Sequence, residues 1–155
     1  PLNEKISFGF GTGFWITPGT TYIEVAPTIA YRFPKALITG LGFRYIYRHD
    51  RYINNDLHSY GPNVFARLNL TKRIYFWTEY EYLFNQYFDE KAFSDDYTRE
   101  TEETDSWFVG LGYSRSVGKK GRGGISMQFL YNVLYDRDEY SPYYSAYTYR
   151  IGYFF

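Results

Sequence analysis

The chain contains no cysteine. Disulfides, thiolate nucleophiles, thiolate zinc sites and a lipid-modified N-terminal Cys are thereby excluded. It also lacks any run of about 18 uncharged apolar residues, the minimum for a membrane-spanning helix. Excess charge is missing too: seventeen basic and seventeen acidic residues cancel, so nothing global points to a nucleic-acid partner. At 155 residues there is room for one domain, 1–155, with one core. No phosphate loop, heptad repeat or cofactor motif is present, and no cofactor is expected. What abounds is aromatic rings. Twenty Tyr, fourteen Phe and three Trp make 24% of the chain, yet mean hydropathy is −0.48. Disordered segments are poor in aromatics, so the rings belong to a folded chain that sorts them.

The sorting has period two. In 21–33, Ile23, Val25, Pro27, Ile29, Tyr31 and Phe33 share one face, while Glu24, Ala26, Thr28, Ala30 and Arg32 share the other. Such alternation marks a strand. It recurs at 6–16, 21–33, 37–48, 58–70, 74–86, 105–117, 123–136 and 143–155. A tilted strand crosses a bilayer in roughly 9–11 residues, so each segment can span and project beyond.

One face of these segments is large, apolar and free of charge. It carries Phe8, Phe10 and Phe14, then Leu41 and Phe43, and later Val64, Leu68, Phe76, Tyr80, Trp107, Leu111, Met127, Phe129, Tyr149 and Ile151. The other face is small and polar. Gly9, Gly11, Gly13, Gly40, Gly42, Gly61, Gly110, Gly112 and Gly152 lie there, with Glu24, Arg32, Arg44, Arg48, Arg67, Glu79, Glu81 and Arg150. A soluble sandwich or barrel buries its apolar face. Alternation alone does not say which face is inside, but glycines and charges suit a narrow lumen and large apolar side chains suit lipid. The pattern predicts an all-β fold: an eight-stranded antiparallel up-and-down transmembrane β-barrel. Pro27 lies mid-strand, where a closed barrel has no free edge, so a bulge or a break in pairing is expected there.

The connections carry orientation. Residues 34–36, 71–73 and 118–122 are tight and basic, with Lys35, Lys72, Arg73, Lys119, Lys120 and Arg122. Residues 49–57, 87–104 and 136–142 are longer, and the stretch 86–105 is acidic; 17–20 is the short exception. Short turns belong on the periplasmic side of such barrels, which puts both termini there as well. Aromatics gather towards both strand ends around a more aliphatic middle, as two interfacial girdles require.

The last strand alternates Tyr149, Ile151, Tyr153 and ends on Phe155. This resembles the C-terminal assembly signal of Gram-negative outer-membrane proteins. The whole plan is similar to the small OmpA/OmpX-type eight-stranded barrels, and segments such as 22–33 and 75–84 resemble small barrels of Bacteroidota. The resemblance implies an outer-membrane address, contact with lipid and lipopolysaccharide, and recognition by the barrel-assembly machinery. Pro1 in place of an initiating Met fits a secreted precursor whose signal peptide has been removed, or a chain trimmed at its start.

The lumen set of five Arg and three Glu reads as a network of ion pairs that fills the interior, with an excess of positive charge. The competing reading is a polar pore. His49 and His58 stand near Asp50, Asp56 and Ser59, which evokes lipid A-modifying barrel enzymes, but proximity in sequence is not a catalytic geometry. No catalytic residue is expected. The acidic segment lacks the spacing of a calcium loop, so no metal site is expected either. Its Tyr87, Phe88, Phe93 and Tyr97, interleaved with acids, suit a partner-binding outer loop or a cover over the barrel mouth. The functional expectation is a non-enzymatic barrel, structural or an accessory subunit of a larger outer-membrane complex; the alternatives are a narrow pore and a lipid A-modifying enzyme.

Overall fold

The computed structural model describes residues 5–52, 54–88, 99–117, 123–136, 143 and 145–155. They form eight strands: β1 (Ile6–Ile16), β2 (Thr20–Arg32), β3 (Leu37–Asp50), β4 (Asn55–Asn69), β5 (Ile74–Phe88), β6 (Arg99–Val117), β7 (Gly123–Asn132) and β8 (Tyr147–Phe154). Each pairs antiparallel with the next, and β8 returns to β1 to close the barrel. Closure satisfies the edges an open sheet would leave unpaired. Both termini leave from the end that carries the tight turns.

Face assignment follows the alternation. Phe8, Phe14, Leu41, Met127 and Tyr149 are exposed on the outer wall, while Glu24, Arg44, Asn63, Glu79, Glu81 and Arg150 are buried inside. The strand ends differ from the expectation at several points. β6 begins at Arg99 and β5 runs to Phe88, so residues 86–88 and 99–105 of the acidic stretch belong to a two-stranded ladder, with Gln86 opposite Thr101 and Phe88 opposite Arg99. β4 begins at Asn55, which reduces the expected loop 49–57 to the turn 51–54. β7 stops early, at Asn132, whose Oδ1 accepts hydrogen bonds from the backbone N–H of Trp107 and Leu134, both at 3.1 Å. β8 begins only at Tyr147. The expected outer connections therefore change in both directions: two shorten because part of their length is strand, and the last lengthens to 133–146.

Pro27 produces a break without a bulge. Val25 pairs with Tyr45 and Thr28 with Gly42, so the register is the same on both sides and the two pairs between are missing. Pro62 does likewise towards β5, between Tyr60–Phe84 and Asn63–Glu81. Each proline lacks the N–H that would bridge to its neighbour. Strand β3 holds the region together, since its pairing with β4 is unbroken from Leu37 to Asp50.

The seam between β1 and β8 is short. Gly9 to Thr12 pair with Phe154 to Ile151, and Phe155 N–H adds a bond to Phe8 O at 2.9 Å. Above Thr12 no further β1–β8 pairs form among the described residues. The turn after β2 puts Lys35 and Ala36 at φ of 69° and 66°, a left-handed pair that favours glycine.

Candidate functional site

Among the described residues the lumen holds the densest polar chemistry. Arg44 on β3 is ion-paired with Glu24 on β2 and with Glu79 and Glu81 on β5; its Nη2 lies 2.9 Å from Glu79 Oε1. Arg150 on β8 donates from Nη1 to both oxygens of Glu79, at 2.9 and 3.0 Å, and its Nε lies 3.6 Å from Glu24. Strand pairing sets this meeting. Gly61 faces Arg44 and Gly42 faces Asn63, so small neighbours leave the guanidinium room to cross the lumen.

Aromatic groups complete the network. Tyr22 donates to Glu24 at 2.7 Å, Trp77 Nε1 to Glu79 at 3.0 Å, and Tyr143 to Glu81 at 2.5 Å. Arg150 reaches the Tyr143 hydroxyl at 3.3 Å and lies over the Phe108 ring, 4.4 Å from its centroid. Dense hydrogen bonding of this kind offsets the cost of taking charges out of water.

Only part of the expected lumen set meets there. Glu24, Arg44, Glu79, Glu81 and Arg150 form the network, two cations against three carboxylates, so the expected local excess of positive charge is reversed. Arg67 stands apart. Its Nε donates to Asn69 and its Nη2 to Ser114, at 2.8 and 2.9 Å, and its guanidinium lies 3.8 Å from the Tyr75 centroid. Arg32 is exposed near the tight-turn mouth, and Arg48 is half-buried with its Nε unpartnered. Neither makes an ion pair among the described residues.

The inner face is also less uniformly small and polar than its glycines suggest. Ile46, Leu83, Phe108, Leu130 and Tyr143 form a buried apolar cluster, with Tyr22 and Trp77 packed against it. It lies beyond the ion pairs, away from the tight turns. On the tight-turn side the lumen opens into a cavity of about 420 Å³ whose lining includes Arg32, Arg67, Lys72, Asn63 and Gly11, with Glu24, Arg44, Glu79 and Arg150 at its inner end. The interior is thus layered as open cavity, ionic layer and apolar cluster. Tyr22, Trp77 and Tyr143 were missed by sequence reasoning. The signal for the first two was their inward parity; Tyr143 falls in the expected strand 143–155 with the outward parity of Tyr147, but β8 begins only at Tyr147 and Tyr143 is buried.

The histidines face outwards, His49 with the parity of Tyr45 and His58 with that of Tyr60. His49 Nδ1 lies 2.6 Å from Asp56, Tyr47 donates to the same carboxylate at 2.7 Å, and His58 Nδ1 lies 2.5 Å from the Tyr45 hydroxyl. Ser59 points the other way and is buried in the lumen. Adjacent residues of one strand point to opposite faces, so His58 and Ser59 form no catalytic pair. Among the described residues no three His, Asp or Glu side chains are grouped to hold a metal. Tyr87 and Phe88 end β5, while Phe93 and Tyr97 lie outside the described residues. The terminal Tyr149, Ile151, Tyr153 and Phe155 are exposed on the outer wall.

Among solved structures, the chain is similar to the crystal structure of the N-terminal β-barrel domain of Pseudomonas aeruginosa OprF. The TM-score is 0.52 at 10% identity, covering 96% of this chain and 95% of that one. The shared property is the fold. Both are eight-stranded barrels over nearly their whole length. No protein-family model and no curated protein matches the chain.

Proposed function

We propose that the chain is a Gram-negative outer-membrane barrel that neither conducts nor catalyses, acting as a structural or accessory subunit against a larger outer-membrane complex. The observation that carries this reading is the inversion of the two faces. Exposed Phe8, Phe14, Leu41, Leu111 and Met127 suit lipid, whereas the interior holds charges, glycines and an apolar cluster. Tyr113, Tyr147 and Tyr153 near the strand ends, with Trp107 at the last apolar outward position of β6, supply two girdles. The tight-turn end then faces the periplasm.

Two features support a closed and inert interior. The lumen carries an ionic layer backed by Phe108, Leu83, Ile46 and Leu130, which favours side-chain filling over an aqueous path. His58 and Ser59 face opposite ways, which counts against hydrolytic chemistry on lipid A. The long β5–β6 hairpin, with 15 and 19 residues against 10 and 8 for β7 and β8, provides a projecting surface for a partner.

A narrow pore is the second reading, favoured by the cavity that opens at the tight-turn mouth. Planar-bilayer recording separates the two. Silence from purified, folded protein is expected; steady and reproducible single-channel steps would select the pore. Incubation with lipopolysaccharide should leave its acyl chains unchanged, and a change that His58→Ala stops would revive the enzyme.

A further inference from the structure

The cavity at the tight-turn mouth has a charge distribution that lumen filling does not explain. Five cations and two carboxylates line it. Both carboxylates, Glu24 and Glu79, are already engaged by Arg44 and Arg150. That leaves Arg32, Arg67 and Lys72 lining the same space, and none of them meets an acid among the described residues.

Arg67 is preorganised. Two neutral oxygens, on Asn69 and Ser114, fix its guanidinium against the Tyr75 ring, and the donors they leave unused remain available. Ile38 pairs with Arg32 on one side and with Arg67 on the other. Those two arginines therefore start roughly 10 Å apart, two strand spacings, close enough for both to reach one bound anion. Deeper in the cavity Asn63 is buried with both amide atoms unpartnered, so the wall offers further donors and acceptors.

The space itself is maintained by sequence. At Gly61 and Gly110 a Cβ would run into the carbonyls of Tyr82 and Phe129, so packing requires glycine there. At Gly11 a Cβ would meet only Ala26, at 3.5 Å, which is ordinary contact. Glycine at position 11 keeps the cavity open where closer packing was available.

We propose that this cavity binds a small soluble anion carrying phosphate or carboxylate groups, which enters from the tight-turn mouth and is held by Arg67 with Arg32 and Lys72. Guanidinium groups pair with such oxyanions through two parallel hydrogen bonds, and Lys72 adds a mobile charge at the rim. The ion-paired layer closes the inner end, so the site is a blind vestibule and not part of a path through the barrel.

The test is calorimetric titration of pyrophosphate and of citrate into the folded full chain in uncharged detergent, followed in parallel by the fluorescence of Trp77, which lines the cavity. Saturable binding is expected at about millimolar or better, weakening as salt is added. Arg67→Gln should weaken it about tenfold. Gly11→Leu should abolish it while every cation remains; Ala30→Leu fills the same cavity from β2 if the first variant does not fold. Arg115→Gln, which removes an exposed charge outside the cavity, should leave affinity unchanged. Absence of saturable heat would overturn the proposal, as would equal losses in Arg67→Gln and Arg115→Gln, or full binding by a folded, cavity-filled variant. Displacement of pyrophosphate by phosphatidylglycerol added to the micelle would give the site to a lipid headgroup and overturn its assignment to a solute.

Discussion

Arg150 on β8 donates to both carboxylate oxygens of Glu79 on β5, at 2.9 and 3.0 Å, across the lumen. Glu79 also accepts from Arg44 at 2.9 Å and from Trp77 at 3.0 Å, so one carboxylate ties three other side chains together. Removing its charge leaves Arg150 with only the 3.6 Å approach to Glu24 and takes one of three carboxylates from Arg44. Glu79→Gln should therefore destabilise the barrel by about 3–5 kcal/mol, the usual cost of breaking a buried pair. Glu79→Met combined with Arg150→Met removes both partners and should cost less than Glu79→Gln alone. Urea titration of the refolded protein in lipid vesicles measures both; an unchanged midpoint in Glu79→Gln would show that the network does not stabilise the fold.

The lumen glycines divide into two kinds, and alanine tells them apart. Gly61→Ala and Gly110→Ala place a methyl against the backbone carbonyls of Tyr82 and Phe129, which the paired strands cannot easily move. Each should cost about 1–3 kcal/mol or more through overpacking. Gly11→Ala meets a methyl at ordinary contact distance and should be neutral or mildly stabilising, because it reduces the freedom of the unfolded chain. The same vesicle titration checks the ranking. Equal losses at all three positions would contradict it.

The seam should open first. β1 and β8 pair only between 9–12 and 151–154, whereas β3 and β4 pair along their full length. Local openings draw on the least-bonded parts of a structure. Hydrogen exchange in micelles should therefore be faster for 13–16 and 147–150 than for mid-strand amides of β3 and β4. Protection at 13–16 equal to that at 39–46 would show that the seam is closed by contacts beyond the strand ladder.

The tight turn after β2 carries a correctable strain. Lys35 and Ala36 both hold φ near +70°, where a Cβ is disfavoured and glycine is not. Ala36→Gly should raise stability by about 1 kcal/mol, less the entropy that glycine adds to the unfolded chain. A higher urea midpoint in vesicles is the expected result, and a lower one would mean that the turn tolerates the Cβ without strain.

What could be read from the sequence follows from where the physics is periodic. Phe8, Leu41, Met127 and Ile151 fall outside because alternation separates faces residue by residue, and the absence of charge on their side sets that face apart from the lumen. The limits of β6 could not be read the same way. Beyond Trp107 the outward positions become Asp105 and Glu103, so the ladder continues to Arg99 while the apolar signal stops. Phe108 was obscure for a different reason. It lies between outward Trp107 and Val109 in an all-apolar stretch, and large rings were equated with the outer wall, yet it is buried in the lumen. Ion-pair partners depend on strand stagger, which is why Glu24 joins Arg44 and Arg150 while Arg67 does not.

Tyr143 joins the ionic layer of the lumen to its apolar cluster, and two substitutions separate its roles. Its hydroxyl donates to Glu81 and its ring packs edge-on against Phe108 with centroids 5.2 Å apart. Tyr143→Phe keeps the ring but deprives a fully buried carboxylate of a donor, at an expected cost of about 1–3 kcal/mol. It should leave planar bilayers silent. Tyr143→Ala removes the ring as well, thinning the apolar cluster next to the ionic layer, and should admit water and produce brief conductance steps. If both variants stay silent the seal does not depend on Tyr143. If Tyr143→Phe alone conducts, the hydroxyl–carboxylate bond and not apolar packing closes the lumen.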